Sequence, residues 1–241
     1  MCFHNSLVTE ATKLRKRYKV KPSDTEQIKP IFHANAFDFQ PWPVITDLMP
    51  ETIQFFQWGL IPAWIKSYED AMKMRTNTLN ARIETVFEKP SFKEAIQKRH
   101  CIVPSTGFFE WQTINGKKYP YFIRLKHEEI FSMAGIWETY KDTKTNQLIQ
   151  SFSILTTEAN PLMATIHNSK RRMPVILSQE VEQEWLKGGF SENTLTKFAK
   201  PYDENEMIAH TVGKIISEKN SNIPDVQKPF QYQIFNQTSL F

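Results

Sequence analysis

CIVPSTGFFEWQTINGKKYPYFIRLK, residues 101–126, decides the fold class. Asn115-Gly116 stands between two apolar runs, and this dipeptide is a strong hairpin signal because both residues readily take the left-handed conformation of a tight turn. Further strand signals follow at IFSMAGIWETYK (130–141), SFSILTTEA (151–159) and RMPVIL (172–177), and HTVGKIISEKN (210–220) reads as a closing strand. Upstream, TIQFFQWGL reads as a strand ending near Gly59-Leu60, because Pro62 cannot continue a central ladder. Residues 29–50, rich in Pro and aromatics, read as an irregular loop running into a short strand at PVIT (43–46). Helices are expected over 9–18 with Thr9 as N-cap, around Phe92–Lys98 after Pro90-Ser91, and from Ser178 to Lys187 with Gly188-Gly189 as the stop. Many short strands, few helices and no strand–helix alternation predict an α+β single domain built on antiparallel sheet.

The composition narrows the function classes. The chain has 241 residues, 40% hydrophobic and 23% charged, with 7 Gly and 14 Pro, which excludes disordered and fibrous classes. A net charge of +4 permits nucleic-acid binding without demanding it. Only Cys2 and Cys101 are present, so a disulfide framework is not expected and a reduced compartment is. No Cys/His cluster has metal-ligand spacing; neither a metal nor a cofactor is expected. The start lacks the apolar core of a signal peptide and no run reaches membrane-spanning length, which predicts a soluble, cytoplasmic protein without membrane contact.

Five features could carry chemistry. Cys2 becomes residue one when Met1 is removed, leaving an α-amine and a thiol on one residue, both partly nucleophilic near neutral pH; the alternative is an incidental Cys in a frayed terminus. Asn80-Ala81-Arg82-Ile83-Glu84 would project Asn, Arg and Glu from one face of an extended segment, either toward a phosphate or as a solvated Arg–Glu pair. Glu110, inside GFFEW, is a general acid–base if burial raises its pKa, or a Glu on an open strand face. His167 can exchange a proton near pH 7 and precedes Lys170, Arg171 and Arg172, a loop that faces an anion or simply water. In WGLIPAW, Trp58 and Trp64 belong to the core, or one of them offers a face for base stacking.

Taken together and in order, Cys2 after Met1, WGLIPAW, NARIET, GFFEW, TTEAN followed by IH, and RMPVIL resemble the SRAP family, the SOS-response-associated peptidase-like proteins that crosslink to abasic DNA. The resemblance runs from residue 2 to about 225, leaving 226–241 as a C-terminal tail. It implies one α+β domain with a barrel-like antiparallel core, peripheral helices and a basic cleft for single-stranded DNA. It implies Cys2 as the nucleophile that captures a ring-opened sugar as a thiazolidine. It also implies Asn80 as the residue holding the sugar, Glu110 as acid–base and His167 as the promoter of ring opening. Arg82, Trp64, Arg172 and Lys170 are the expected DNA contacts. A monomer, nucleoid-associated when on DNA, with AP-lyase and self-processing side activities, follows from the same likeness. Two departures stand out. Phe3-His4 replaces the usual Gly-Arg, and the loop after His167 is longer, with Lys170 and Arg171 supplying extra charge. A thiol peptidase using Cys2, His167 and Asn80, and a single-strand-binding module without chemistry, are the rival readings.

Overall fold

The computed structural model describes residues 2–21 and 28–235. Five strands close on themselves as a barrel. Pro41–Thr46 lies between Gln54–Trp58 and His100–Ser105, the latter pairs with Phe131–Lys141, and that strand pairs with Leu148–Glu158. Leu148–Glu158 returns to Gln54–Trp58 in parallel, with Phe152 opposite Trp58. Closure leaves the barrel itself without an open edge. Large aromatics fill the ring: Trp58 stacks on Phe152 with centroids 5.9 Å apart, and Trp42 lies 6.4 Å from Trp58. Their indole N–H groups are not wasted, since Trp42 donates to Pro104 O and Trp58 to Leu79 O.

A second, fully antiparallel sheet carries the order Met207–Thr211, Lys117–Leu125, Gly107–Ile114, His4–Leu7, Ile31–Asn35. The expected hairpin is there, with Asn115 and Gly116 at φ 49° and 74°. The run expected as one strand, CIVPSTGFFEWQT, is two. His100–Ser105 belongs to the barrel, Gly107–Ile114 to the second sheet, and only Thr106 separates them. Gly107 permits the switch, because a Cβ there would sit 2.3 Å from the Phe122 ring.

Other expectations need correction. The short strand expected at PVIT is present as Pro41–Thr46, but the stretch before it is not an irregular loop: it holds strand Ile31–Asn35 and a 3₁₀ turn, Ala36–Asp38. Pro41 and Pro43 are tolerated because the ladder to His100–Ser105 begins only at Ile45. The first helix is Ala11–Tyr18 with Glu10, not Thr9, at the N-cap. RMPVIL divides into Arg172–Pro174 on Leu148–Glu158 and Ile176–Leu177 on Phe131–Lys141. The expected closing strand ends at Thr211, and Lys214–Ser217 is 3₁₀. Helices Tyr68–Arg75 and Pro161–Ile166 had no counterpart in the sequence reading. Of the residues expected as tail, Val226 is buried and Gln227 donates to Ser6 Oγ and Phe32 O. Among the described residues no helix is long and apolar enough to cross a membrane.

Candidate active site

Glu110 lies mid-strand in Gly107–Ile114, opposite Tyr121 on one side. On the other side the ladder to the N-terminal strand pairs Phe109 with His4, so the chain's first residues lie beside Glu110. The Phe3 carbonyl is anchored there by Ala36 N–H at 2.8 Å. Glu110 is buried, and loss of water pushes its pKa from the ordinary 4.5 to about 7.

His167 enters from a different element. Asn160 caps the Pro161–Ile166 helix by accepting from Met163 N–H, and His167 ends it, its N–H bonded to Met163 O at 2.7 Å. The Nδ1–H donates to Arg172 O at 2.9 Å; a carbonyl only accepts, so that nitrogen carries the proton and Nε2 the lone pair. Nδ1 stands 3.7 Å from Glu110 Oε1. Burial, reinforced by Lys170 and Arg172, lowers the imidazole pKa to about 4. The expected proton exchange by His167 near pH 7 is therefore corrected: at neutral pH the imidazole is neutral, and Glu110 is the group poised to gain or lose a proton.

Cys2 is fully buried, and among the described residues its thiol reaches His4 O at 3.9 Å. Burial, with the Glu110 carboxylate second, raises the thiol well above its ordinary range, so it stays S–H at neutral pH rather than partly ionised. Asn80 begins the short Asn80–Arg82 strand, paired to Ile154–Thr156. Its amide is buried and neither Oδ1 nor Nδ2 has a hydrogen-bond partner among the described residues. Leaving such a group unpaired costs about 1–3 kcal/mol. No hydrogen bond ties Asn80 to Glu110 or His167 directly. A path runs through Ala81 O, which accepts from Thr156 Oγ1, then Thr156 O, which accepts from Arg172, whose own carbonyl holds His167.

Glu110 and His167 open on a cavity of about 670 Å³ that also meets Phe3, Trp111 and Lys170. Its wall carries a chain that the sequence did not announce. His4 Nδ1 lies 2.8 Å from His33 Nε2, and His33 Nδ1 lies 2.7 Å from Ser221 Oγ. Burial lowers His4 to about 3 and His33 to about 4, so both rings are neutral and one donates to the other. His33 sat in a stretch read as irregular loop, and no local pattern marked it. Among the described residues no cluster of three or more His, Cys, Asp or Glu could hold a metal ion.

Residues 1–219 match the model of the family SRAP, "SOS response associated peptidase". The chain belongs to the SRAP family. It is similar to abasic site processing protein YoqW of Bacillus subtilis (strain 168), 36% identical over 185 residues, 76% of this chain and 79% of that protein. It is also similar to abasic site processing protein HMCES of Rattus norvegicus, 32% identical over 202 residues, 72% of this chain and 55% of that longer protein. A crystal structure of a Bacteroides thetaiotaomicron protein superposes with TM-score 0.89 at 42% identity, covering 95% of this chain and all of that one.

The SRAP DNA-contact candidates part company in space. Lys170 is exposed and lines the cavity. Arg82 is exposed and Trp64 is half-exposed, its indole N–H near Pro90 O at 3.4 Å, but neither lines it. Arg172 is buried and engaged: Nη1 and Nη2 grip Glu84 at 2.8 Å each, and Nη2 also donates to Thr156 O at 2.6 Å. Those bonds use Nη1 and Nη2, while Nε is buried without a partner among the described residues, and Glu84 is paired with Arg172 rather than Arg82, the chain turning into 3₁₀ at Ile83–Thr85. The cavity is mixed in sign, with Lys118, Lys170 and Lys219 against Asp38, Glu110 and Glu218, rather than uniformly basic.

Proposed function

We propose that this protein processes abasic sites in DNA, as its named relatives do, by covalent capture of the ring-opened sugar at Cys2 after removal of Met1. The observation that carries the reading is the placement of Glu110, buried beside the chain's first residues and 3.7 Å from His167 Nδ1, where loss of water raises its pKa to about 7. The Cys2 amine attacks the sugar aldehyde carbon, and protonated Glu110 delivers a proton to the carbinolamine oxygen so that water leaves. The resulting iminium carbon, its nitrogen still carrying one proton, then receives the Cys2 sulfur. The C–S bond forms as the thiol proton passes to the Glu110 carboxylate, which restores the acid. The product is a thiazolidine, and one water is lost overall. Neutral His167 hydrogen-bonds the sugar and eases ring opening, and the Asn80 amide holds a sugar hydroxyl.

A thiol held as S–H suits this order, amine first and sulfur second. It suits a thiol peptidase poorly, because a thiolate–imidazolium pair needs a lowered thiol pKa and a histidine that accepts the proton; here burial moves both the wrong way. Single-stranded DNA is the proposed partner, held by Lys170, Arg82 and Trp64 around the site, with the protein acting as a nucleoid-associated monomer. Some strand cleavage by β-elimination from the imine is expected when closure fails.

The test is intact-protein mass spectrometry after incubation with a single-stranded oligonucleotide carrying an abasic site. A heat-stable mass of protein lacking Met1 plus oligonucleotide minus one water supports capture, and C2A abolishes it. Protein without Met1 that forms no adduct overturns the proposal.

A further inference from the structure

Glu110 and His167 belong to separate elements, and something must set the distance between them. The backbone of the loop from His167 to Arg171 is tied to backbone outside it only at its two ends, His167 N–H to Met163 O and Arg171 O to Ala159 N–H, among the described residues. Lys170 N–H and Arg171 N–H both fold back on His167 O, Arg171 takes a left-handed φ of 50°, and residues 168–171 are exposed. On the other side, the ladder between the N-terminal strand and Gly107–Ile114 ends at the His4–Phe109 pair, so the edge beyond Glu110 lacks a strand neighbour. Asn168 fills that place. Its Oδ1 accepts from Thr113 N–H at 3.0 Å and its Nδ2 donates to Thr113 O at 2.8 Å, the pattern a paired strand residue would make.

We propose that Asn168 is a positioning residue: its two-way amide bond to the Thr113 backbone holds the His167 loop against the strand that carries Glu110. Asn168 touches neither reacting atoms nor the imidazole. It closes the outer side of the loop, while the bond from His167 Nδ1 to Arg172 O closes the inner side. A carboxamide is the right group for this place, since a carboxylate could accept from Thr113 N–H but would confront Thr113 O with a second acceptor. The catalytic part of the inference rests on the abasic-site reading above; the structural part does not.

Two measurements on N168A, N168D and N168Q separate these parts. The first is adduct formation on the abasic single-stranded oligonucleotide in single turnover across pH, with oligonucleotide affinity by fluorescence anisotropy. N168A is expected to slow adduct formation about 10- to 100-fold, the usual consequence of loosened alignment, with affinity unchanged. The pH profile should also move away from pH 7 as water reaches Glu110. N168D should fall between, keeping one bond, and N168Q should recover rate if its longer arm restores both. The second is the NMR titration of the His167 ring in the free protein, expected near pH 4 in the parent and closer to the ordinary 6.5 in N168A. Because both partners lie at the surface, the fold should persist, and circular dichroism checks it. An unmoved His167 titration in N168A overturns the proposal. So does a parental rate and pH profile, or a slower rate matched by an equal loss of affinity. A moved titration together with a parent protein that forms no adduct would leave the clamp standing and overturn the function instead.

Discussion

Replacing Glu110 with glutamine removes one ionisable group from a buried place and changes little else in size. Below pH 4.5 the carboxyl is protonated in the folded and unfolded chains alike, and it contributes no pH-dependent term. Between 4.5 and about 7 the unfolded chain ionises first, so the folded state binds the extra proton and stability falls as pH rises. Above pH 7 the whole cost is present. At about 1.36 kcal/mol per pH unit, the interval amounts to about 3 kcal/mol. E110Q is therefore expected to match the parent near pH 4 and to exceed it by up to about 3 kcal/mol at pH 8. For a chain of this size that is a rise in melting temperature of about 6–12 °C. Differential scanning calorimetry at the two pH values reads the difference directly, and the histidines common to both proteins cancel. The same variant should lose about 10²–10⁴-fold in the rate of adduct formation, so stability and activity move in opposite directions. An E110Q protein whose melting temperature differs from the parent by the same amount at both pH values would refute the desolvated carboxyl, and with it the acid–base assignment.

Other changes probe neighbouring claims. E84A strips the buried Arg172 guanidinium of its carboxylate and should cost about 2–4 kcal/mol, read by urea unfolding; an unchanged midpoint would show that the pair does not matter. K170A should reduce the salt dependence of oligonucleotide binding by about one unit of slope, whereas R172A should lower stability first; equal slopes for K170A and parent would remove Lys170 from the DNA path. G107A places a Cβ 2.3 Å from the Phe122 ring, and overpacking of this kind costs about 1–3 kcal/mol, measurable by thermal melting. His4, His33, His100 and His167 are all held below the ordinary 6.5, so the unfolded chain binds more protons between pH 6.5 and 4. Stability should decline as pH falls through that window, the four histidines together outweighing the opposite contribution of Glu110; a flat melting temperature from pH 7 to 4 would contradict it.

Local pattern carried a good deal of this protein. Asn115-Gly116 announces its hairpin, since the turn needs two residues that tolerate positive φ and nothing distant enters the requirement. The helices Pro90–Lys98 and Gln179–Lys187 follow from their proline and glycine punctuation. The ordered motifs from Cys2 to RMPVIL suffice for SRAP membership, because they are short, local and collinear. Tertiary structure alone decided the rest. The barrel closes only when Leu148–Glu158 meets Gln54–Trp58, a pairing between distant segments that no window of sequence contains. Crossing from barrel to second sheet at Thr106 depends on how closely Phe122 approaches Gly107. Of four arginines and lysines or aromatics of similar promise, Lys170 lines the cavity, Arg82 and Trp64 are exposed outside it, and Arg172 is buried on Glu84; burial is a property of the packed chain. Protonation follows the same logic. A sequence names Cys2, Glu110 and His167, but their pKa values are set by the water each has lost and the charges packed beside it, and those exist only once the sheets have closed.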